Sequence, residues 1–369
     1  MKSAHVLLPF LTAMLAACAA VAPAPEVAMP AVPVDATLLV IAHRGASALR
    51  PEHTLAAYAK AIEDGADAIE PDLVMTRDGV LVARHENEIG GTTDVGQRPE
   101  FAGRKTRKRI DGQWVEGWFT EDFSLAELKT LRARERLPQL RSTAFDGRFE
   151  VPTLDEVIAL AQSESRKRGR VIGLVPEIKH PTYFAGIGLA MEQPLLDTLA
   201  RHAYTRTAPV VIQSFEVGNL RALRVRIPRG GNLRLLQLLG APDESPADLA
   251  VTPDAITYAW MASEAGLRDT ATYADAIGPH YLMLQLRRDA GGTPRSALVD
   301  AAHAAGLQVI AYTFRPENHF LEADYRDGAG EAARNPGGSI RQMRDYLSAG
   351  VDALFTDDPA LGRRAARGR

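Results

Sequence analysis

From Leu38 onward, short runs of β-branched or leucine-rich residues alternate with stretches whose apolar positions recur at helical spacing. That alternation is the signature of βαβ units on a parallel sheet. Eight runs read as strands: LLVIAHRG, DAIEPDL, IGLVPEIK, PVVIQSF, LRLLQL, DAIGPHYLML, LQVIAYTF and DALFTD. The spacing predicts helices between them over 54–64, 154–168, 194–203, 217–226, 294–305 and 340–349. Eight strands with interposed helices are what a TIM (β/α)8 barrel requires, whereas a doubly wound sheet more often stops at about five or six strands. The expected class is therefore α/β, a (β/α)8 barrel.

One run breaks the alternation. GVLVARH follows IEPDLVMTRD with no room for a crossover helix, which needs a dozen or more residues. Asp78-Gly79 is a strong turn signal, so a hairpin is expected, with Asp72 opposite His85. The stretch that follows, to about residue 150, is polar and irregular and carries Trp114, Trp118 and Phe119. It is too long for a plain loop and reads as a small inserted subdomain over the barrel mouth, about 86–150. A second irregular region, 240–261, reads as another lid segment.

Composition narrows the class of ligand. The chain has 369 residues, 46% hydrophobic and 24% charged, with a net charge of -3. These values fit a globular protein with a sizeable core and exclude a chain-wide electrostatic footprint for nucleic acid. The single cysteine, Cys18, rules out an intrachain disulfide. Lys2 precedes an apolar stretch over 6–17 that is too short to span a bilayer and fits a secretory signal. Its end, Leu15-Ala16-Ala17-Cys18, resembles the lipobox of bacterial lipoproteins, in which the cysteine is acylated and becomes the mature N-terminus. Residues 1–18 are thus expected to be a signal peptide, 19–37 an Ala/Pro-rich tether, and 38–369 the barrel. The expected location is extracytoplasmic, a periplasmic lipoprotein anchored through Cys18.

The chemistry sits where the strands end. Along a strand, residues i and i+2 face the same side, so Glu70 and Asp72 share one small space. Crowded carboxylates raise one another's pKa or attract a hard divalent ion. PEIK adds Glu177 and the cation Lys179 from another strand end. His43 and His85 are the histidines at strand ends beside these acids, and two histidines can serve as general base and general acid in one displacement. Arg44 offers a bidentate fork for phosphate oxygens, and Gly45 a tight turn behind it. Gln213, Phe215, Tyr312, Phe314 and Trp260 are candidate pocket-lining residues, while the basic run 104–109 reads as a solvated face.

These words, AHRGAS, PEHT, GADAIEPDLVMTRDG, VARHE, PEIKHP, QSF, IGPHYLML, AYTFR and LFTDDP, run in order from Ala42 to Pro359. The set resembles the glycerophosphodiester phosphodiesterase family, in particular its longer periplasmic bacterial type. The resemblance implies a TIM barrel with an insertion after the second catalytic histidine. It implies an acid/base pair in His43 and His85, metal carboxylates in Glu70, Asp72 and Glu177, and phosphate contacts from Arg44 and Lys179. It further implies hydrolysis of glycerophosphodiesters such as glycerophosphocholine or glycerophosphoethanolamine to sn-glycerol 3-phosphate and an alcohol, with one divalent cation, Ca2+ in preference to Mg2+. The spacing does not say which histidine is base, nor whether water or the glycerol 2-hydroxyl attacks. One departure is Glu86, where the family usually has aspartate after the second histidine. The partner expected is a small molecule, with membrane contact confined to the lipid anchor. The competing readings are a related TIM-barrel phosphodiesterase acting on intact phospholipids, and a surface lipoprotein whose main role is adhesion.

Overall fold

The computed structural model describes residues 1, 38–250 and 255–367. The expected signal peptide, Met1 apart, and the tether lie outside them. The chain divides into two units, Met1–Ala31 and Val32–Arg369, and the following concerns the second.

Eight strands close into a parallel barrel: β1 (Val40–His43), β2 (Ala68–Glu70), β3 (Gly173–Leu174), β4 (Val210–Ser214), β5 (Leu233–Leu239), β6 (Ala276–Pro279), β7 (Gln308–Phe314) and β8 (Ala353–Thr356). Each pairs with its neighbour, β4 with β5 and β8 with β1 included, so no barrel edge is left open. Parallel strands covered on both faces need near-continuous apolar runs, which is what these segments supply. Inward-facing Ile41, Ala68, Val175, Val211, Leu236, Leu238, Ala276, Ile310, Ala353 and Phe355 form one buried cluster with a member beside or within every strand. The eight-strand expectation holds throughout. The DAIGPHYLML run stops as a strand at Pro279 and turns into a 3-10 segment, Tyr281–Leu284.

Caps set the helix boundaries. Thr54 accepts from Ala57 N and opens Leu55–Glu63, and Thr153 forms a capping box with Glu156 ahead of Leu154–Arg168. Val217–Arg226 lies where the pattern predicts it, whereas 194–203 is shifted to Glu192–Arg201. The helix predicted over 294–305 is shorter, Ala297–Ala304, because Pro294 and Arg295 pair with Arg287–Arg288 and Ser296 caps the first turn. The one predicted over 340–349 begins earlier, at Pro336, because Asn335 caps Gly338 N despite the two glycines that weaken the helical pattern.

The expected hairpin exists, but one residue out of register. Asp72–Met75 pairs antiparallel with Leu81–Ala83 through Leu73↔Ala83, Val74↔Val82 and Met75↔Leu81. Arg84 N therefore bonds Asp72 O at 2.9 Å, so Arg84, not His85, lies opposite Asp72. The reason is the turn: Thr76 and Val80 close a three-residue loop with Gly79 at φ +78°, where a two-residue loop was assumed. Between the hairpin and Leu154 lies a segment with its own two-stranded ribbon, Thr106–Ile110 against Gln113–Gly117. Among the described residues, no helix is long and apolar enough to cross a membrane.

At the end of β1 the chain turns through two consecutive left-handed residues, Arg44 at φ +58° and Gly45 at φ +88°. A Cβ on Gly45 would lie 2.7 Å from the Ala57 carbonyl carbon, whereas one on Gly79 would meet nothing within 4 Å. Gly45→Ala is therefore expected to cost about 2–3 kcal/mol or more and Gly79→Ala only about 1 kcal/mol. Thermal melts of the two variants check the order, and equal losses would contradict it.

Candidate active site

Strand register assembles the site. His43 stands beside Glu70, Asp72 beside Glu177, and Glu177 beside Gln213, each as a paired position of neighbouring parallel strands. Pro71 interrupts the second strand and Val175-Pro176 the third, so both resume as the short outer strands carrying Asp72 and Glu177. His43, Arg44, Glu70, His85, Glu177 and Lys179 all line one cavity of about 280 Å³ at the C-terminal mouth, the face where barrels of this kind carry out chemistry.

Glu70, Asp72 and Glu177 are buried and present carboxylate oxygens within 4.8 Å of one another. Burial and the neighbouring carboxylates push Glu70 well above the usual carboxylate range and Glu177 to about 8. Asp72 moves the other way because Lys179 and His53 stabilise its charge against the cost of burial. His53 Nε2 donates to Asp72 Oδ2 at 2.8 Å, and Lys179 Nζ bonds Glu177 at 2.8 Å. The Arg44 backbone N–H and Gln213 Nε2 donate to the two oxygens of Glu70, at 2.7 and 3.1 Å. Asp72 Oδ1 is buried with no hydrogen-bond partner. An orphaned carboxylate oxygen inside a trio of acids fits a hard divalent cation, and oxygen ligands at about 2.3–2.6 Å from Ca2+ match that spread.

Both histidines are keyed by a carboxylate. His43 Nδ1 lies 2.6 Å from Asp357 Oδ1, and His85 Nδ1 lies 2.5 Å from Glu86 Oε1. Neighbouring donors hold both acids far down the scale, the cations Arg141 and Arg315 beside Asp357, and the His85 hydrogen bond with the cation Arg136 beside Glu86. Ionised carboxylates only accept, so each Nδ1 carries the proton and each Nε2 is left with its lone pair. The extra methylene of Glu86 is thus compatible with orienting His85. Burial and adjacent cations lower His43 to about 4 and His85 to about 3.

Behind these pairs run two further ion networks. Arg136 bonds both Glu86 and Glu52, and Glu52 accepts from Arg44 Nη1 at 2.9 Å. Arg141 bonds both Glu317 and Asp357. Glu52 is the buried bridge between Arg136 and Arg44. Glu52, His53, Arg136, Arg141, Glu317, Arg315 and Asp357 were not singled out as site residues in the sequence. Of the candidate lining residues, Gln213, Phe215 and Tyr312 face the cavity, joined by His280, Tyr281 and Phe320, while Phe314 and Trp260 do not line it. In the basic run, Lys105, Arg104 and Lys108 are tied to Glu116, Glu127 and Glu121.

A closed (β/α)8 barrel whose mouth gathers two carboxylate-keyed histidines, three acids and two cations is a site for anionic diesters. In fold it resembles an Oleispira antarctica phosphodiesterase solved in complex with the product sn-glycerol-3-phosphate (TM-score 0.55, 19% identity, covering 89% of this chain and 96% of that one). In sequence it is 34% identical to glycerophosphodiester phosphodiesterase GDPD6 of Arabidopsis thaliana over 86% of this chain and 82% of that protein. It is 28% identical to the glycerophosphodiester phosphodiesterase of Haemophilus influenzae over 89% and 90%. The model of the glycerophosphoryl diester phosphodiesterase family matches residues 43–361. The chain belongs to that family and is a phosphodiester hydrolase.

The lowered histidines have a stability consequence. Between their folded values and the ordinary 6.5, the folded chain binds fewer protons than the unfolded one, so stability rises with pH. Their contribution is complete above about pH 6.5 and is lost as pH falls through about 4. The double variant His43→Gln/His85→Gln is expected to flatten the acid limb of stability over that window in urea titrations. An unchanged limb would contradict it.

Proposed function

We propose that the chain hydrolyses glycerophosphodiesters, such as glycerophosphocholine or glycerophosphoethanolamine, to sn-glycerol 3-phosphate and an alcohol by two-histidine acid/base catalysis. The observation that carries the reading is the pair of imidazoles, each tied through Nδ1 to an ionised carboxylate and lining one cavity with Arg44 and Lys179. Glu70, Asp72 and Glu177 would hold one divalent cation, Ca2+ in preference to Mg2+, which supplies neutralisation of charge on the nonbridging oxygens.

Arg44 and Lys179 hold the phosphodiester anion; before it arrives burial favours neutral imidazoles, with the charge of Arg44 beside both rings and of Lys179 beside His85 adding to it. Binding the anion offsets that charge and raises the proton affinity of both rings. One histidine takes, through Nε2, the proton of the hydroxyl whose oxygen bonds to phosphorus. The other, its Nε2 protonated once the anion is bound, gives that proton to the departing alcohol oxygen as its P–O bond breaks; where the glycerol 2-hydroxyl attacks, water then opens the resulting cyclic phosphate to sn-glycerol 3-phosphate with the two roles reversed. Asp357 and Glu86 keep the rings in the required tautomer and stabilise the imidazolium form, while Arg141 and Arg136 keep those two acids ionised. The relative solved with sn-glycerol-3-phosphate as product supports the same product here. We also propose export and acylation at Cys18, which would appear as lipid labelling lost in Cys18→Ala.

The test is glycerol 3-phosphate release from glycerophosphocholine by the purified protein with Ca2+ present, in a coupled dehydrogenase assay. His43→Gln and His85→Gln are each expected to lower kcat by about 10²–10⁴-fold while melting like the parent apart from the acid limb. Parental turnover in either variant would remove the two-histidine mechanism, and no release by the parent would remove the activity.

A further inference from the structure

The cavity carries a third cation besides Arg44 and Lys179. Arg315 follows β7 and lines the same space, yet its ties differ from those of the other two. Arg44 donates through Nη1 to Glu52 and Lys179 through Nζ to Glu177, and their side chains are 9% and 8% exposed. Arg315 is 27% exposed, and its Nε lies 3.1 Å from Asp357 Oδ2 without the alignment of a hydrogen bond. Among the described residues no hydrogen bond engages either terminal amine. The guanidinium rests over the Phe320 ring, 4.6 Å from its centre, which supports it without using its donors. Asp357 therefore has His43 at one oxygen and Arg141 and Arg315 at the other. That arrangement sets a donor-free-to-bind guanidinium one carboxylate's width from the imidazole proposed to move a proton.

Arg141 already anchors Asp357 through Nη2 at 2.6 Å and Glu317 through Nε at 2.7 Å. Arg141 thus already holds that acid without Arg315, and a fork with unengaged terminal donors on a residue lining a cavity built for an anion has an evident use. We propose that Arg315 is a substrate-binding residue whose terminal amines take a nonbridging phosphoryl oxygen of the diester and of its monoester product. The inference rests on the phosphodiesterase reading of the same cavity. The alternative source of an anionic oxygen is the departing head group, and the two differ in what they predict across substrates.

The experiment compares the parent, Arg315→Gln and Arg315→Lys, each Ca2+-loaded and each checked for an unchanged melt. Calorimetric binding of sn-glycerol 3-phosphate and of inorganic phosphate is expected to weaken roughly 10- to 100-fold in Arg315→Gln, the range of a lost charge-assisted hydrogen bond. Arg315→Lys is expected to recover part of that loss, because it restores the charge but not the fork. kcat/KM is expected to fall by a similar factor for glycerophosphocholine and for an anionic diester such as glycerophosphoserine. Unchanged binding of both phosphate ligands would overturn the inference. So would a loss of kcat/KM confined to the anionic head group, or a shift of the pH profile alone, which would mark Arg315 as a support of Asp357. Binding to the parent without turnover of any diester would instead contradict the activity, leaving the Arg315 comparison readable.

Discussion

Everything at the mouth of this barrel answers to one electrostatic problem, three carboxylates buried within 4.8 Å of one another. No purely hydrophobic core tolerates such a group, since like charges in a low-dielectric space resist ionising together. Register forces the proximity: Asp72 and Glu177 are paired positions, and Glu70 precedes Asp72 by a single proline. The surroundings respond in kind. Lys179, His53, the Arg44 backbone N–H and Gln213 each supply a donor to one member of the trio. One acceptor, Asp72 Oδ1, has no hydrogen bond, only Lys179 Nζ at 3.7 Å, and it is the feature that makes the crowded cluster fit a cation.

The same alternation of sign extends outward to the histidines. On one side the order is His43, Asp357, Arg141, Glu317; on the other it is His85, Glu86, Arg136, Glu52, Arg44. Both arginines at the centre of these chains, Arg136 and Arg141, come from the segment between the hairpin and the helix at Leu154. That segment therefore sets the charge of the site. It delivers the two cations that keep the imidazole-orienting carboxylates ionised, and the second network ends on Arg44, so both halves of the site share one charge balance. Buried pairs of this kind add little net stability, but losing one partner strands a charge, which makes each link sensitive to substitution.

How much of this was legible depended on the range of the interaction. Eight strands, the hairpin and the seven residues His43, Arg44, Glu70, Asp72, His85, Glu177 and Lys179 were readable, because strand periodicity and strand-end polarity are local signals. The hairpin register was missed by one residue, because an Asp-Gly pair serves a three-residue loop as well as a two-residue one. Glu52, Arg136, Arg141 and Glu317 escaped because three of the bonds that tie them span 84, 176 and 216 positions, beyond any periodic signal. Asp357 and Arg315 had the signal that found His43: both are polar residues at a strand end, in TDDP and YTFR, and that rule applied to all eight strands would have included them.

The account stands on the carboxylate trio being a cation site on which diester turnover depends. The most direct measurement titrates Ca2+ calorimetrically into chelator-treated protein and assays the same samples for glycerol 3-phosphate release. One binding event per chain is expected, with turnover rising in proportion to occupancy and both lost in a folded Glu70→Gln variant. Full turnover with no cation bound, or undiminished binding in Glu70→Gln, would contradict it.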